Sequence, residues 1–252
     1  MTTHFNIIII GAGPGGYVAA IRAAQLGKTV ALIEKRATLG GTCLNVGCIP
    51  SKALLDSSEK YDMAGHAFAH HGIEVKGLSF DLGKMLKRKD EVVKTLTGGI
   101  QFLMKKNKVT VLQGWGSFVD QRTVRVQPDS GTAQDYTADH IIIAAGSEVI
   151  ELPNLKFDGH TVVSSTEALN FNPVPPRLAV IGAGVIGLEL GSVWRRLGSD
   201  VTLIDLADRP VAMMDADISQ ETLKIMTKQG LKFHLNSKVT AATPGPDGLR
   251  LT

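Results

Sequence analysis

The hydrophobic pattern along the chain repeats itself once. Residues 7–34 read IIIIGAGPGGYVAAIRAAQLGKTVALIE, and residues 178–205 read LAVIGAGVIGLELGSVWRRLGSDVTLID. Each copy opens on a short β-branched run without polar alternation, as expected of a strand buried on both faces in a parallel sheet. A glycine turn follows, then an Ala- or Leu-rich stretch closing at Gly27 or Gly198, where glycine suits a helix C-cap. A second apolar run, 29–33 or 201–204, completes a β-α-β unit each time. A spacing of 171 residues is far too long for a solenoid and predicts two domains of one kind.

Between the copies the period changes. Residues 51–71 and 80–106 read as helices, the second with Leu82, Met85, Leu86, Val93, Leu96, Ile100 and Leu103 near helical spacing. Lys84, Lys87, Arg88, Lys89 and Lys94 among them read as a solvated face rather than a docking surface. Strand-like runs at 109–113, 123–127 and 140–144 are separated by Gly, Asp and Ser turns. Pro153 and the proline-rich segment 172–177 punctuate the join to the second copy. The boundary is expected near 150, giving domains 1–150 and 151–252.

Composition narrows the class. Of 252 residues, 44% are apolar and 20% charged, which excludes disordered and collagen-like chains. A net charge of +3 is too small to argue for nucleic acid or a membrane surface as partner. Two cysteines cannot staple a chain of this length, so a disulfide-framework secreted protein is excluded. The first residues carry no basic n-region, and the apolar run 7–10 is too short for a signal or a span. The expectation is a soluble, cytoplasmic protein.

The glycines carry the first chemistry. In G-x-G-x-x-G after a strand, the first glycine makes the tight turn and the second lets the backbone approach a pyrophosphate. The third lets the helix pack close to the strand, and the helix N-terminus supplies N–H groups and partial positive charge. Gly11, Gly13 and Gly16 stand in that context, and so do Gly182, Gly184 and Gly187. Glu34 and Asp205 each follow 23 positions after the first glycine, where a carboxylate accepts hydrogen bonds from both hydroxyls of an adenosine ribose. A carboxylate there repels a 2′-phosphate, so Asp205 favours NAD over NADP.

The two cysteines lie in Gly40-Gly-Thr-Cys43-Leu-Asn-Val-Gly-Cys48-Ile-Pro-Ser-Lys52, shortly after Glu34. A structural disulfide closing so small a loop stabilises little. A redox or metal-binding pair is the better reading in a cytosolic protein, and metal is disfavoured because no second pair or zinc-finger histidine spacing follows. His66, His70 and His71 read as surface histidines. A dinucleotide beside a cysteine pair points to electron transfer between a nicotinamide and a disulfide. Hydride arrives in electron pairs, so a flavin is needed as the adapter.

On these residues the chain resembles the flavoprotein disulfide reductases, the class I pyridine nucleotide-disulfide oxidoreductases. GGTCLNVGCIPSK matches their redox segment, and GVIGLELGSVWRRLG and IIIAAGS at 141–147 extend the likeness from residue 5 to about 245. Within the family it is most similar to the branch that oxidises protein-bound dihydrolipoamide and passes the electrons to NAD+. The glutathione branch usually carries basic residues near the second ribose, whereas here the chain reads Asp205-Leu-Ala-Asp208 with Arg209 beside it. The mercuric branch shares the cysteine segment.

The resemblance implies an α/β fold of two Rossmann-like domains, FAD-binding then NAD-binding, in the three-layer FAD/NAD(P)-binding form. Cys43 would be the interchange thiol, Cys48 the thiol facing the flavin, and the two would form the redox disulfide. Lys52 would lie near flavin N5 and pair with Glu189. Gly11, Gly13 and Gly16 would hold the FAD pyrophosphate, Glu34 its ribose and Gly116 its adenine. Lys35, Gly41 and Thr42 would add FAD contacts, with Ala145, Gly146 and Ser147 at the exit from that domain. Gly182, Gly184, Gly187, Glu189, Asp205 and Val239 would line the NAD site. Partners implied are lipoyl domains of 2-oxo-acid dehydrogenase complexes and a second copy of the enzyme.

Family members run to nearly twice this length. The expectation is therefore that the sequence describes an N-terminal half. The FAD domain's return segment, the C-terminal interface domain for dimerisation and its histidine base would then lie outside it. None of the seven histidines here takes that place. The alternatives are another disulfide reductase of the family, of mercuric or glutathione type, or a dinucleotide-binding module without turnover.

Overall fold

The first apolar run becomes strand β1 (Thr3–Ile10), the Ala-rich stretch helix α1 (Pro14–Gln25), and the second run strand β2 (Val30–Glu34) in the computed structural model, which describes residues 3–245 and 248–252. The strands are parallel, with Ile7 opposite Val30 and Ile10 opposite Ile33. Every residue of β2 is buried, so no polar side was available to alternate. Pro14 suits the start of α1, where its missing N–H has no intrahelical partner to lose.

After β2 come a short helix, α2 (Gly41–Val46), and two long ones, α3 (Cys48–His66) and α4 (Leu82–Lys106). The chain then forms β3 (Thr110–Gln113), β4 (Trp115–Phe118), β5 (Thr123–Gln127) and β6 (Gln134–Ile143). One six-stranded sheet results, ordered β3-β2-β1-β6-β5-β4. It is parallel from β3 to β6 and antiparallel through β5 and β4. Alternate residues serve opposite faces. Ile9, Val30 and Leu32 join Ala20 and Ala23 of α1 and Ile100 and Met104 of α4. Ile8, Ala31 and Ile33 pack instead with Val124, Val126 and Ala138.

The second half repeats the theme on a smaller sheet. Helix α5 (Ser165–Ala168) precedes β7 (Arg177–Ile181), α6 (Val185–Arg196), β8 (Asp200–Ile204), α7 (Ala216–Lys228) and β9 (Lys232–His234). β7, β8 and β9 form a parallel sheet in that order. Strands β10 (Ala242–Gly245) and β11 (Gly248–Leu251) pair antiparallel. Trp194 is fully buried at the centre of this core, its indole N–H donating to the Ala168 carbonyl at 3.1 Å.

Two compact units result: Met1–Pro50 with Asp90–Glu148, and Ser51–Lys89 with Val149–Thr252. A single cut at 150 assigns 51–89 to the first domain, whereas here they group with the second. The reason is apolar packing: Leu54, Leu55, Tyr61, Leu82 and Leu86 join the cluster around Trp194, Val201 and Leu203. Buried Lys89 adds a polar tie, its ammonium bonded to the Leu169 carbonyl and the Asn170 side chain.

Candidate functional site

In the first unit the chain turns sharply from β1 into α1. Gly11 has φ +101°, and a Cβ there would lie 2.3 Å from the Ala144 carbonyl oxygen. At Gly16 a Cβ would lie 1.8 Å from the Gly11 oxygen, so only glycine lets the helix sit this close to the turn. Gly13 is the N-cap of α1 and offers no side-chain cap; with Gly16 and Tyr17 donating to the Gly13 carbonyl, the Gly15 N–H is the first-turn donor left for an anion. Glu34 is buried at the end of β2. Its Oε2 accepts from the Ala12 N–H and its Oε1 from the Arg36 N–H, both at 2.9 Å. Each carboxylate oxygen keeps a further lone pair for a hydroxyl donor.

The second unit repeats the bonds that join turn and acid. Gly11 and Gly182 donate to the carbonyls of Ile33 and Ile204, each at 2.8 Å. Asp205 accepts from Ala183 N–H at 2.6 Å and from Ala207 N–H at 2.8 Å. Gly184 caps α6, again without a side-chain cap, and a Cβ there would meet nothing within 4 Å. Both turns therefore pair an uncapped helix N-terminus with a carboxylate whose remaining lone pairs are available. Such a cradle fits a dinucleotide's pyrophosphate and ribose diol. Beside it Arg209 bonds Asp208 and the Ala212 carbonyl, while its buried Nε is without a partner.

The cysteine segment is built onto the first turn. Gly41 has φ +58°, and its Cβ position lies 2.5 Å from Gly13 Cα, so backbone rests directly on backbone. Cys43 is half-buried on α2, Thr42 beside it is exposed, and exposed Cys48 opens α3. Asn45 ties this loop: its amide donates to the carbonyls of Leu39 and Gly41 and accepts from the Thr38 hydroxyl.

Further predicted residues gather at the same sheet end. Gly116 sits over the methyls of Ile10 and Ile33, where a Cβ would press at 3.3 and 3.2 Å. Lys35 is 2.6 Å from Glu148 and 4.6 Å from the centre of the Trp115 ring. The hydrogen bond from Lys35 holds the Glu148 carboxyl below its ordinary range. Ala145, Gly146 and Ser147 are exposed just before Glu148, with Gly146 at φ +76°.

In the second unit Lys52 Nζ lies 2.5 Å from Glu189 Oε1, and the Ser51 hydroxyl donates to Glu189 Oε2 at 3.2 Å. Glu189 also borders an open groove of about 320 Å³ with Leu188, Ser192, Arg196 and Val211. Val239 is buried, its carbonyl accepting from the Asn154 amide. Among the described residues no cluster of three His, Cys, Asp or Glu could hold a metal. No helix among them is long and apolar enough to cross a membrane.

Sequence reasoning overlooked Asn45, Ser51, Trp115 and Glu148. It also overlooked Val211, whose N–H donates to the Ala183 carbonyl as that of Gly40 does to Ala12, both at 2.9 Å. The 171-residue spacing was the available signal for that last pair.

The family model described as pyridine nucleotide-disulphide oxidoreductase matches residues 5–252. Dihydrolipoyl dehydrogenase 3 of Pseudomonas putida is 53% identical over 248 residues, 98% of this chain and 53% of that protein. The mitochondrial dihydrolipoyl dehydrogenase of Pisum sativum is 51% identical over 247 residues, 98% of this chain and 49% of that protein. A solved Cu(II) complex of the HOCl-induced flavoprotein disulfide reductase RclA from Escherichia coli matches with a TM-score of 0.81 at 28% identity. That match covers all of this chain and 53% of that one. The chain thus spans about half the length of the curated relatives it matches.

Proposed function

Given that the chain belongs to the pyridine nucleotide-disulphide oxidoreductase family, we propose that it serves a dihydrolipoyl dehydrogenase. That enzyme oxidises protein-bound dihydrolipoamide and delivers the electrons to NAD+. The carrying observation is the backbone contact of Gly41 on Gly13, which seats the Cys43 helix against a nucleotide-type turn. Identities of 51–53% to dihydrolipoyl dehydrogenases support this branch over the glutathione and mercuric ones.

FAD fits the first unit and NAD the second. The uncapped N-terminus of α1 would receive the FAD pyrophosphate and Glu34 the ribose. Asp205 would receive the NAD ribose and disfavour a 2′-phosphate. FAD, when bound, supplies the relay between thiols and nicotinamide. The chain's own part is thiol–disulfide exchange. The structure holds the pair without a disulfide; once the pair is oxidised to one, a substrate thiolate attacks Cys43 Sγ, the Cys43–Cys48 bond breaks, and Cys48 leaves as thiolate. The second substrate thiol then displaces Cys43, so the substrate gains a disulfide and the protein a dithiol. Lys52 contributes an ammonium oriented by Glu189, which Ser51 steadies in turn. Lipoyl domains of 2-oxo-acid dehydrogenase complexes are the proposed partners, with a homodimer as the working form. The proposed compartment is the cytosol, where thiols stay reducible.

The test is an assay on the protein carrying this sequence, loaded with FAD. Dihydrolipoamide and NAD+ should yield NADH. NADPH-dependent reduction of glutathione disulfide or Hg(II), with none of lipoamide, would transfer the protein to another branch.

A further inference from the structure

The internal repeat runs past the acids. Residues 40 and 211 keep the 171-residue spacing, and both donate their N–H to the carbonyl of the residue inside the glycine turn. Both are left-handed, with φ +104° at Gly40 and +43° at Val211. Glycine takes that conformation freely, whereas a β-branched side chain crowds its own peptide there. Among the described residues, the other non-glycine positive φ values fall on Lys108 and Asn236, neither of them β-branched. Strain of this kind costs roughly one to two decades in an equilibrium constant.

The surroundings impose it. The Val211 carbonyl accepts from Met214 N–H at 2.7 Å and from the buried Ser219 hydroxyl at 3.3 Å. It docks on the Ala183 carbonyl, and the N–H of the same residue, in the preceding peptide group, holds Asp205. Releasing Val211 therefore loosens the ribose-binding acid. Leu206 is 68% and Met213 fully exposed, while Pro210 is buried, Val211 packs against the cluster around Trp194 and the Ala207 carbonyl accepts from Asn236 N–H at 2.9 Å.

We propose that Val211 is a positioning residue of the second nucleotide site. Its strain keeps the clasp on Asp205 weak enough to open for an exchanging dinucleotide, while Gly40 closes the first clasp without strain over one that stays. The proposal rests on the reading of the second unit as an NAD site.

NADH release from the FAD-loaded protein, followed by stopped-flow, tests it in wild type, Val211→Gly and Val211→Asn. Glycine should slow release roughly three- to thirtyfold and slow association by a similar factor, with affinity and FAD content little changed. Asparagine enters the left-handed region more readily than valine and should move the rate the same way, by less. Should the glycine variant misfold, asparagine alone decides. Release as fast as wild type, or faster, in the folded variants overturns the proposal. If wild type binds no NADH at all, the underlying reading fails and the proposal with it.

Discussion

The two glycine turns share their hydrogen bonds and differ in what is built around them. In the first unit Glu34 is buried, the turn is pressed by Gly41, and the next helix carries Cys43. In the second, Asp205 is partly open, nothing stands near Gly184, and an exposed segment leads to α7. The same local chemistry yields a closed cradle and an open one. On the proposed reading, the turn would supply affinity for a nucleotide and the packing over it would set retention.

Glycine substitutions should separate the two most sharply. Gly16→Ala places a methyl 1.8 Å from the Gly11 oxygen and should destabilise the first unit by about 3 kcal/mol or more. FAD should be lost with it, read by absorbance after gel filtration. Gly184→Ala meets no protein atom and should fold normally, yet weaken NADH binding because the methyl fills the phosphate's approach. Equal unfolding of both variants would erase the distinction.

The acids give the next contrast. Asp205→Asn removes a charge-assisted acceptor worth about 1.5–3 kcal/mol, one to two decades of NAD affinity by titration calorimetry. It should also narrow the preference for NAD over NADP. Glu34→Asn, in the sealed site, should additionally lower the melting temperature, since it leaves the Ala12 and Arg36 N–H groups poorly satisfied.

The smallest effect concerns pH. Lys35 lowers the Glu148 carboxyl below its ordinary value, so this tie contributes above the unfolded carboxylate's range, near ~4.3. It is lost as pH falls through the depressed folded value. Trp115 emission should shift in that acid window and stay flat in Glu148→Gln, where Lys35 has lost its anchor at every pH.

The glycine turns and acids were legible because sterics at Gly11 and Gly16 leave the sequence no choice. Segment 123–127 was legible as a strand because Val124 and Val126 alternate into the core. The grouping of 51–89 was not, because an amphipathic helix shows that it has an apolar face and not which core receives it. Glu148 escaped notice because its partner Lys35 is 113 residues away. Val211 was hidden because valine replaced the glycine that marks the same bend in the first copy. Strand β4, four residues led by an exposed tryptophan, has too little pattern to announce itself.

In the proposed reaction electrons enter through Cys43 and Cys48 and leave on a nicotinamide. The most direct measurement is the yield of NADH from dihydrolipoamide and NAD+ in the FAD-loaded wild type and in Cys43→Ser and Cys48→Ser. NADH should equal the dithiol consumed in wild type and stay at background in either variant, with NADH still binding. NADH formed at an undiminished rate without one of these sulfurs would contradict it.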